Sequence, residues 1–289
     1  MSTAVATPTT TPAVATPKGK LSFPHLLRSE WIKFWSVRST IWTLGIFLFA
    51  TVSLVVLISL AFVNAPSEAE GGPPASQAAD ALGPFAVAVT LAQLALAVLG
   101  ALTITSEYTT GMIRSSLSAV PKRLPVLWSK AIVLMVSVLV AAVVALAVSA
   151  VLQALFFDSK DFSIDWSDGQ TLRALGGTAL YLATIALFAF ALGALLRHSA
   201  AAVATVLGLL LVAPILFGAI PWKPLTYMFP FLPGVAGQQV TQTDAQLAEA
   251  AASSPIGADL TAWQGYGVLV AYLVVVLAAA IFRLKKSDA

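Results

Sequence analysis

Six stretches of the chain run for about 20 residues with hardly a polar side chain, the length that crosses a ~30 Å hydrocarbon core. They lie at approximately 41–63, 84–105, 131–157, 172–196, 199–220 and 262–282. Each predicts a transmembrane helix, and the third is long enough to tilt or to extend past the bilayer. Spans four and five are separated only by Arg197 and His198, so they predict a tight hairpin. The fold class expected is all-α integral membrane, with six transmembrane helices behind an amphipathic interfacial helix.

That leading helix is read from residues 23–40, FPHLLRSEWIKFWSVRST. At 100° per residue, Phe23, Leu26, Leu27, Trp31, Phe34, Trp35 and Val37 share half the wheel. His25, Arg28, Ser29, Lys33, Ser36 and Ser39 take most of the other half. Two tryptophans opposite a basic face describe a helix lying in the membrane interface; an aromatic-and-basic flank of span one is the plainer alternative. Glu30 breaks the pattern by falling in the apolar arc, where an unpaired carboxylate is costly. A basic partner is therefore expected, on Lys33, on Arg38, on the segment after span two, or on another chain.

The segment after span two, SEYTTGMIRSSLSAVPKR at 106–123, interrupts two charge-free walls. Thr105 or Ser106 is suited to cap a short helix ending near Ser118, and Pro121 to stop it. Glu107, Gly111, Arg114 and Ser118 would then form one polar stripe, with Ile113 and Leu117 beside it and Gly111 permitting close approach. The alternative is a loop whose charges only set topology. Of the remaining connections, 64–83 and 158–171 are Gly/Pro/Ser/Asp-rich linkers. The stretch 221–261 is different: prolines at 221, 224, 230 and 233 forbid a continuous helix, yet Tyr227, Met228, Phe229, Phe231 and Leu232 are too apolar for a free loop. A short re-entrant or interfacial piece, buried by protein, fits. In span five, Ala200, Ala204 and Gly208 recur every four residues, a spacing that lets two helices approach.

Composition agrees with this reading. Of 289 residues, 58% are hydrophobic and 10% charged, with mean hydropathy +0.89, whereas soluble domains are about 25% charged. With both termini on one side, 13 of the 16 Lys and Arg residues lie on that side, which the positive-inside rule makes cytoplasmic. Ten of the 13 acids lie opposite. The net charge of +3 then reflects sidedness rather than affinity for nucleic acid. Residues 1–20, rich in Thr, Pro and Ala, predict a disordered cytoplasmic tail; 21–40 the amphipathic helix; 41–283 the six-span domain; 284–289 a second tail. No cleavable signal peptide is expected, since the first apolar run begins at residue 41.

Absent residue types narrow the chemistry. There is no cysteine, and His25 and His198 are the only histidines, so no thiolate chemistry and no metal-centred active site is expected. No Asp, Glu, Lys or Arg sits near the middle of a span, unlike the usual ion-coupled transporter. Nor does a phosphate-cradling Gly-x-x-x-x-Gly-Lys-Ser/Thr occur. The chain is expected to be non-catalytic, binding no cofactor of its own.

Taken in order, Ser29-Glu30-Trp31 with Lys33, Arg38-Ser39-Thr40, Glu107-Tyr108 with Gly111 and Ile113-Arg114, and Leu232-Pro233 with Ala236-Gly237-Gln238 resemble the permease subunit of a type-2 ABC exporter. The resemblance spans residues 25 to 285. It implies a connecting helix carrying Glu30, Trp31, Lys33 and Arg38, and a coupling helix carrying Glu107, Tyr108, Gly111, Ile113 and Arg114. From its apolar side chains and its prolines and glycines, the segment 229–238 is expected to cap the exit as an outer gate at Phe231, Leu232, Pro233 and Gly234, packed on the outer ends of spans five and six. The resemblance also implies a separate ABC ATP-binding subunit holding ATP and Mg, a homodimer or heterodimer of permeases in membrane lipid, and location in the bacterial plasma membrane. The competing reading is a six-span channel, facilitator or membrane scaffold without an ATPase.

Overall fold

A computed structural model describes residues 22–64, 81–112, 123–157, 164–220, 222–253 and 260–286. Helix α1 (Phe23–Ser36) is followed by α2 (Arg38–Val63), α3 (Gly83–Thr109), α4 (Arg123–Phe157) and α5 (Gly169–Leu196). Then come α6 (Ser199–Leu207), a π-helical turn (Gly208–Val212) and α7 (Ala213–Ala219), which together make the fifth span. Short helices α8 (Lys223–Met228) and α9 (Pro233–Gln238), each followed by a 3₁₀ turn, lead to α10 (Asp244–Ser253) and α11 (Ala262–Lys286). No strand occurs among the described residues. Six helices are long and apolar enough to cross a membrane, at 38–63, 83–109, 124–156, 169–196, 199–219 and 262–286, and the chain is a multi-pass membrane protein.

Helix α5 is the centre of the bundle. Every residue from Tyr181 to Ala194 is buried, as befits a helix apolar on all sides. It packs against α3, α4, α6 and α11, while α2 closes the outside of α3 and α4. Lipid tails are as apolar as leucine, so helix association rests on close packing rather than the hydrophobic effect. Glycine supplies that closeness: a side chain at Gly100 of α3 would fall on the backbone carbonyl of Ala186 of α5. One at Gly193 of α5 would strike Ile104 and the carbonyl of Ala101. Asp168 starts α5 by accepting hydrogen bonds from the Gln170 (3.0 Å) and Thr171 (3.3 Å) amides, a carboxylate N-cap.

In the fifth span, Pro214 has no N–H for the carbonyl of Leu210, and its ring crowds that oxygen. The helix answers by widening just before it: the Ala213 amide reaches back five residues to Gly208, the signature of a π-bulge.

The bundle has two ends. One, here the α1 end, gathers α1, the last turn of α3, the first turns of α4 and α6, and the last turns of α5 and α11. The far end gathers the connections through α8, α9 and α10.

The end of the second span differs from the sequence expectation. The second span does not stop at Thr105; its helix runs on to Thr109, so Thr105 and Ser106 continue a span instead of capping a new helix. Gly111 terminates that span in the left-handed conformation (φ 72°), which costs little only for glycine. A Cβ there would meet nothing within 4 Å among the described residues, so within this chain the glycine serves to end a helix. Ile113, Arg114, Leu117 and Ser118 lie outside the described residues.

Candidate functional site: a buried ion network at the α1 end

Glu107 stands one turn before Gly111, in the last turn of α3. Lys130 lies in the early turns of α4, and Glu30 and Lys33 are neighbours three residues apart on α1, a spacing that puts them on one helix face. The fold brings all four together. Lys130 Nζ donates to Glu30 Oε2 at 2.6 Å and to Glu107 Oε1 at 2.7 Å. Lys33 Nζ also donates to Glu107 Oε1. One carboxylate oxygen thus receives two ammonium groups, and one ammonium spans two carboxylates.

The network is largely removed from water. Side-chain exposure is 3% for Lys130, 5% for Glu107, 14% for Glu30 and 33% for Lys33. Buried pairs gain little net stability over apolar packing, because desolvation offsets their attraction. Their strength lies in geometry: remove one partner and the others are left charged without compensation. Burial would lower the pKa of Lys33, but the hydrogen bond and charge of Glu107, aided by Glu30, outweigh it and hold the ammonium above its ordinary value of 10.5.

The face α1 turns to the bundle is one edge of the apolar half of its wheel, extended to Lys33. Phe34 is buried and Leu26, Leu27, Glu30 and Lys33 are partly covered, whereas Trp31, Trp35 and Val37 point outward. Trp31 and Trp35 tilt against each other with centroids 5.9 Å apart. Arg38, at the start of α2, is exposed and joins no ion pair among the described residues. Tyr108, beside Glu107, faces another way: the Arg197 guanidinium lies 5.5 Å from its ring centroid. Arg197 occupies the left-handed region (φ 59°) in the hairpin between α5 and α6 and donates to the Arg283 carbonyl at 3.3 Å. Arg283 in turn donates to the carbonyl of Leu195. This second polar seam joins the α1 ends of α3, α5 and α11.

Lys130 is the member that sequence reasoning missed. The third span was expected to begin at Ala131, with Lys130 left outside as a topological charge; the helix instead starts at Arg123 and carries Lys130 inward. Its visible signal was isolation, the only charge between Leu124 and Phe157.

At the far end, Leu232, Pro233 and Gly234 are buried, while Phe231 is 40% exposed. Pro233 opens α9, and the chain turns inward just before it, at Leu232 (ψ 137°). Gly234 packs on Leu210 of the π-turn, and Gly237 on Tyr181 of α5 and Leu269 of α11. Tyr181 Oη donates to Gln93 of α3 and lies 3.3 Å from the Gly234 carbonyl oxygen. The contacts with spans five and six are joined by one with Tyr181 of span four, itself bonded to span two, which the sequence did not indicate. Gln153 of α4 donates to the Ala81 carbonyl (2.9 Å) and Ser59 (3.3 Å), tying spans one and three to the start of span two. The stripe Ala200, Ala204 and Gly208 buries no contact in this chain: both alanines are exposed, and a Cβ at Gly208 would meet nothing within 4 Å. Ala202, Val206 and Leu210 form the inward face instead.

Fold and site together define a polytopic helical membrane protein with α1 clamped by charge to one end of its bundle. Residues 46–289 match the model of a protein family of unknown function, DUF2705, and the chain belongs to that family. The match takes in Glu107 and Lys130, while Glu30 and Lys33 precede it. Comparison with curated proteins finds no match.

Proposed function

We propose that this chain is the membrane-spanning permease half of an ATP-driven exporter in the bacterial plasma membrane, with both termini cytoplasmic. A separate ABC ATP-binding subunit would bind ATP and Mg and carry out hydrolysis, and two permease chains, alike or different, would form the pathway. The observation that carries this reading is the ion network. It joins α1 to the last turn of α3 and the early turns of α4, and α3 and α4 are the walls against which α5 packs. A force on α1 is therefore delivered to two spans at once. The segment 106–123 would lie beside this joint as the contact with the ATPase, and the α9 region at the far end would cap the exit.

Purification of the tagged chain from its native membrane tests the reading. An ATP-binding subunit should co-purify in comparable amount, and Arg114→Ala should abolish substrate-stimulated ATP hydrolysis with no loss of inserted protein. Recovery of transport by the chain alone in proteoliposomes, without an ATPase, would overturn it in favour of a facilitator.

A further inference from the structure

Beside the ion network lies a cleft of about 510 Å³ between α1, the start of α2, the end of α3 and α4. Its chemistry is divided. Phe34, Val98, Leu99, Leu102 and Val133 make an apolar wall, and Glu30, Lys33, Glu107 and Lys130 make a charged end, with Ser106 and Thr110 beside them. Leu99, Leu102, Ser106 and Thr110 recur three or four residues apart, so a single face of α3 runs from the apolar wall to the polar end.

Three observations define an occupant. First, Glu107 is 4% exposed, and its Oε2 has no hydrogen-bond partner among the described residues, while Oε1 takes both lysines. A buried carboxylate oxygen without a donor is strongly disfavoured. The last torsion of a glutamate is broad and soft, so a small turn offers Oε2 to the cleft while the lysines stay engaged. Second, the four charged groups sum to zero, and a zwitterion leaves that balance intact where a simple cation or anion would upset it. Lys33, the most exposed of the four, is placed to meet the negative group. Third, apart from Phe34, the apolar wall belongs to α3 and α4, two of the helices long and apolar enough to cross a membrane.

We propose that this cleft binds a membrane lipid whose headgroup carries a phosphate and a primary ammonium. The ammonium donates an N–H to Glu107, the phosphate faces Lys33, and an acyl chain lies along Leu99, Leu102 and Val133. A quaternary ammonium has the same charge but no N–H to give. The site thus selects by hydrogen bonding rather than by charge. Nothing in this assignment depends on an ATPase.

The test is native mass spectrometry of the full chain in detergent, titrated with dioleoyl lipids of the series phosphoethanolamine, N-methyl, N,N-dimethyl and choline. Binding should persist through the dimethyl lipid and drop roughly tenfold at choline, the size of effect expected when one charge-assisted hydrogen bond is lost. Leu102→Trp, which fills the cleft from its exposed edge, should abolish the preference while the thermal midpoint stays near that of the unmodified protein. Chain-free glycerophosphoethanolamine should not compete. Equal binding of the ethanolamine and choline lipids would overturn the proposal. So would unchanged selectivity in a folded Leu102→Trp protein, or full competition by the chain-free headgroup.

Discussion

The two ends of the bundle are held by different physics. At the α1 end, helices that come from distant parts of the chain are joined by full charges: residue 33 to 107, and residue 130 to both 30 and 107. At the far end the buried joints are neutral, and the one ion pair among the described residues there, Arg173 with Asp244 at 2.9 Å, leaves its carboxylate exposed. Tyr181 meets Gln93, Gln153 meets Ser59 and the Ala81 carbonyl, and α9 fits against α5 and α11 through Gly237 and Gly265, where a side chain would collide with its neighbours. A charged joint is directional and severe when left half-made, yet it re-forms wherever donors and acceptors meet again. A packed joint tolerates neither bulk nor sliding, because a close-packed interior has no slack. One end is tied by charge and the other chiefly by close packing.

The sharpest way to break this contrast is Lys130→Met. It leaves Glu30 with no direct partner and Glu107 with Lys33 alone, and removing one member of a buried pair costs about 3–5 kcal/mol. The thermal midpoint in detergent should fall steeply and α1 should become open to proteolysis, with Lys130→Arg recovering most of the loss. A midpoint near that of the unmodified protein would mean that the charges do not hold α1. A smaller but definite loss is expected at the packed end from Gly265→Ala, whose new methyl falls on the Ala236 carbonyl oxygen. Overpacking of this kind costs about 1–3 kcal/mol. Here the loss should appear as faster labelling of a cysteine introduced at buried Ala236, with α1 still docked. Protection of that cysteine unchanged from the glycine protein would show that α9 does not rest on α11.

The smallest effect belongs to Gly208→Leu. Since nothing stands within 4 Å of that position, the stability of the single chain should be unchanged. Any change should appear in the oligomeric state measured by light scattering. A drop in monomer stability would place the residue in a contact within the chain.

What the sequence revealed and what it hid follow the same divide. The six spans were legible because hydropathy is additive along the chain, and a run such as Ala131–Phe157 needs no partner to declare itself. The end of span two was hidden because Glu107 looks like a residue that must leave the membrane. It stays buried, at 4% exposure, through ammonium groups from α1 and α4, and periodicity within one segment carries no trace of such partners. Lys130 was set outside its span for the same reason. The wheel for α1 grouped Trp31 with Phe34 by hydropathy; within this chain the bundle covers the edge bearing Glu30, Lys33 and Phe34 and leaves Trp31 exposed, a division that hydropathy alone does not carry. Glu30 was conspicuous by its place in the apolar arc, yet its partner, Lys130, lies 100 residues away. At the far end, prolines and aromatics at 221–233 marked an unusual segment. The phenol of Tyr181 that it rests on is indistinguishable, in sequence, from any aromatic of an apolar helix.

Ribosomes deliver this protein from its N-terminus, and that order gives Lys130 a place in time as well as in space. When α1, α2 and α3 have emerged, the nascent bundle holds two carboxylates, Glu30 and Glu107, with Lys33 between them and no lysine yet from α4. Only the arrival of the third span supplies the ammonium that bridges both acids. Until that moment two carboxylates of the network share a single lysine, an imbalance that burial would penalise. Lys130 thus completes the ion network before α5, the centre of the bundle, has been made.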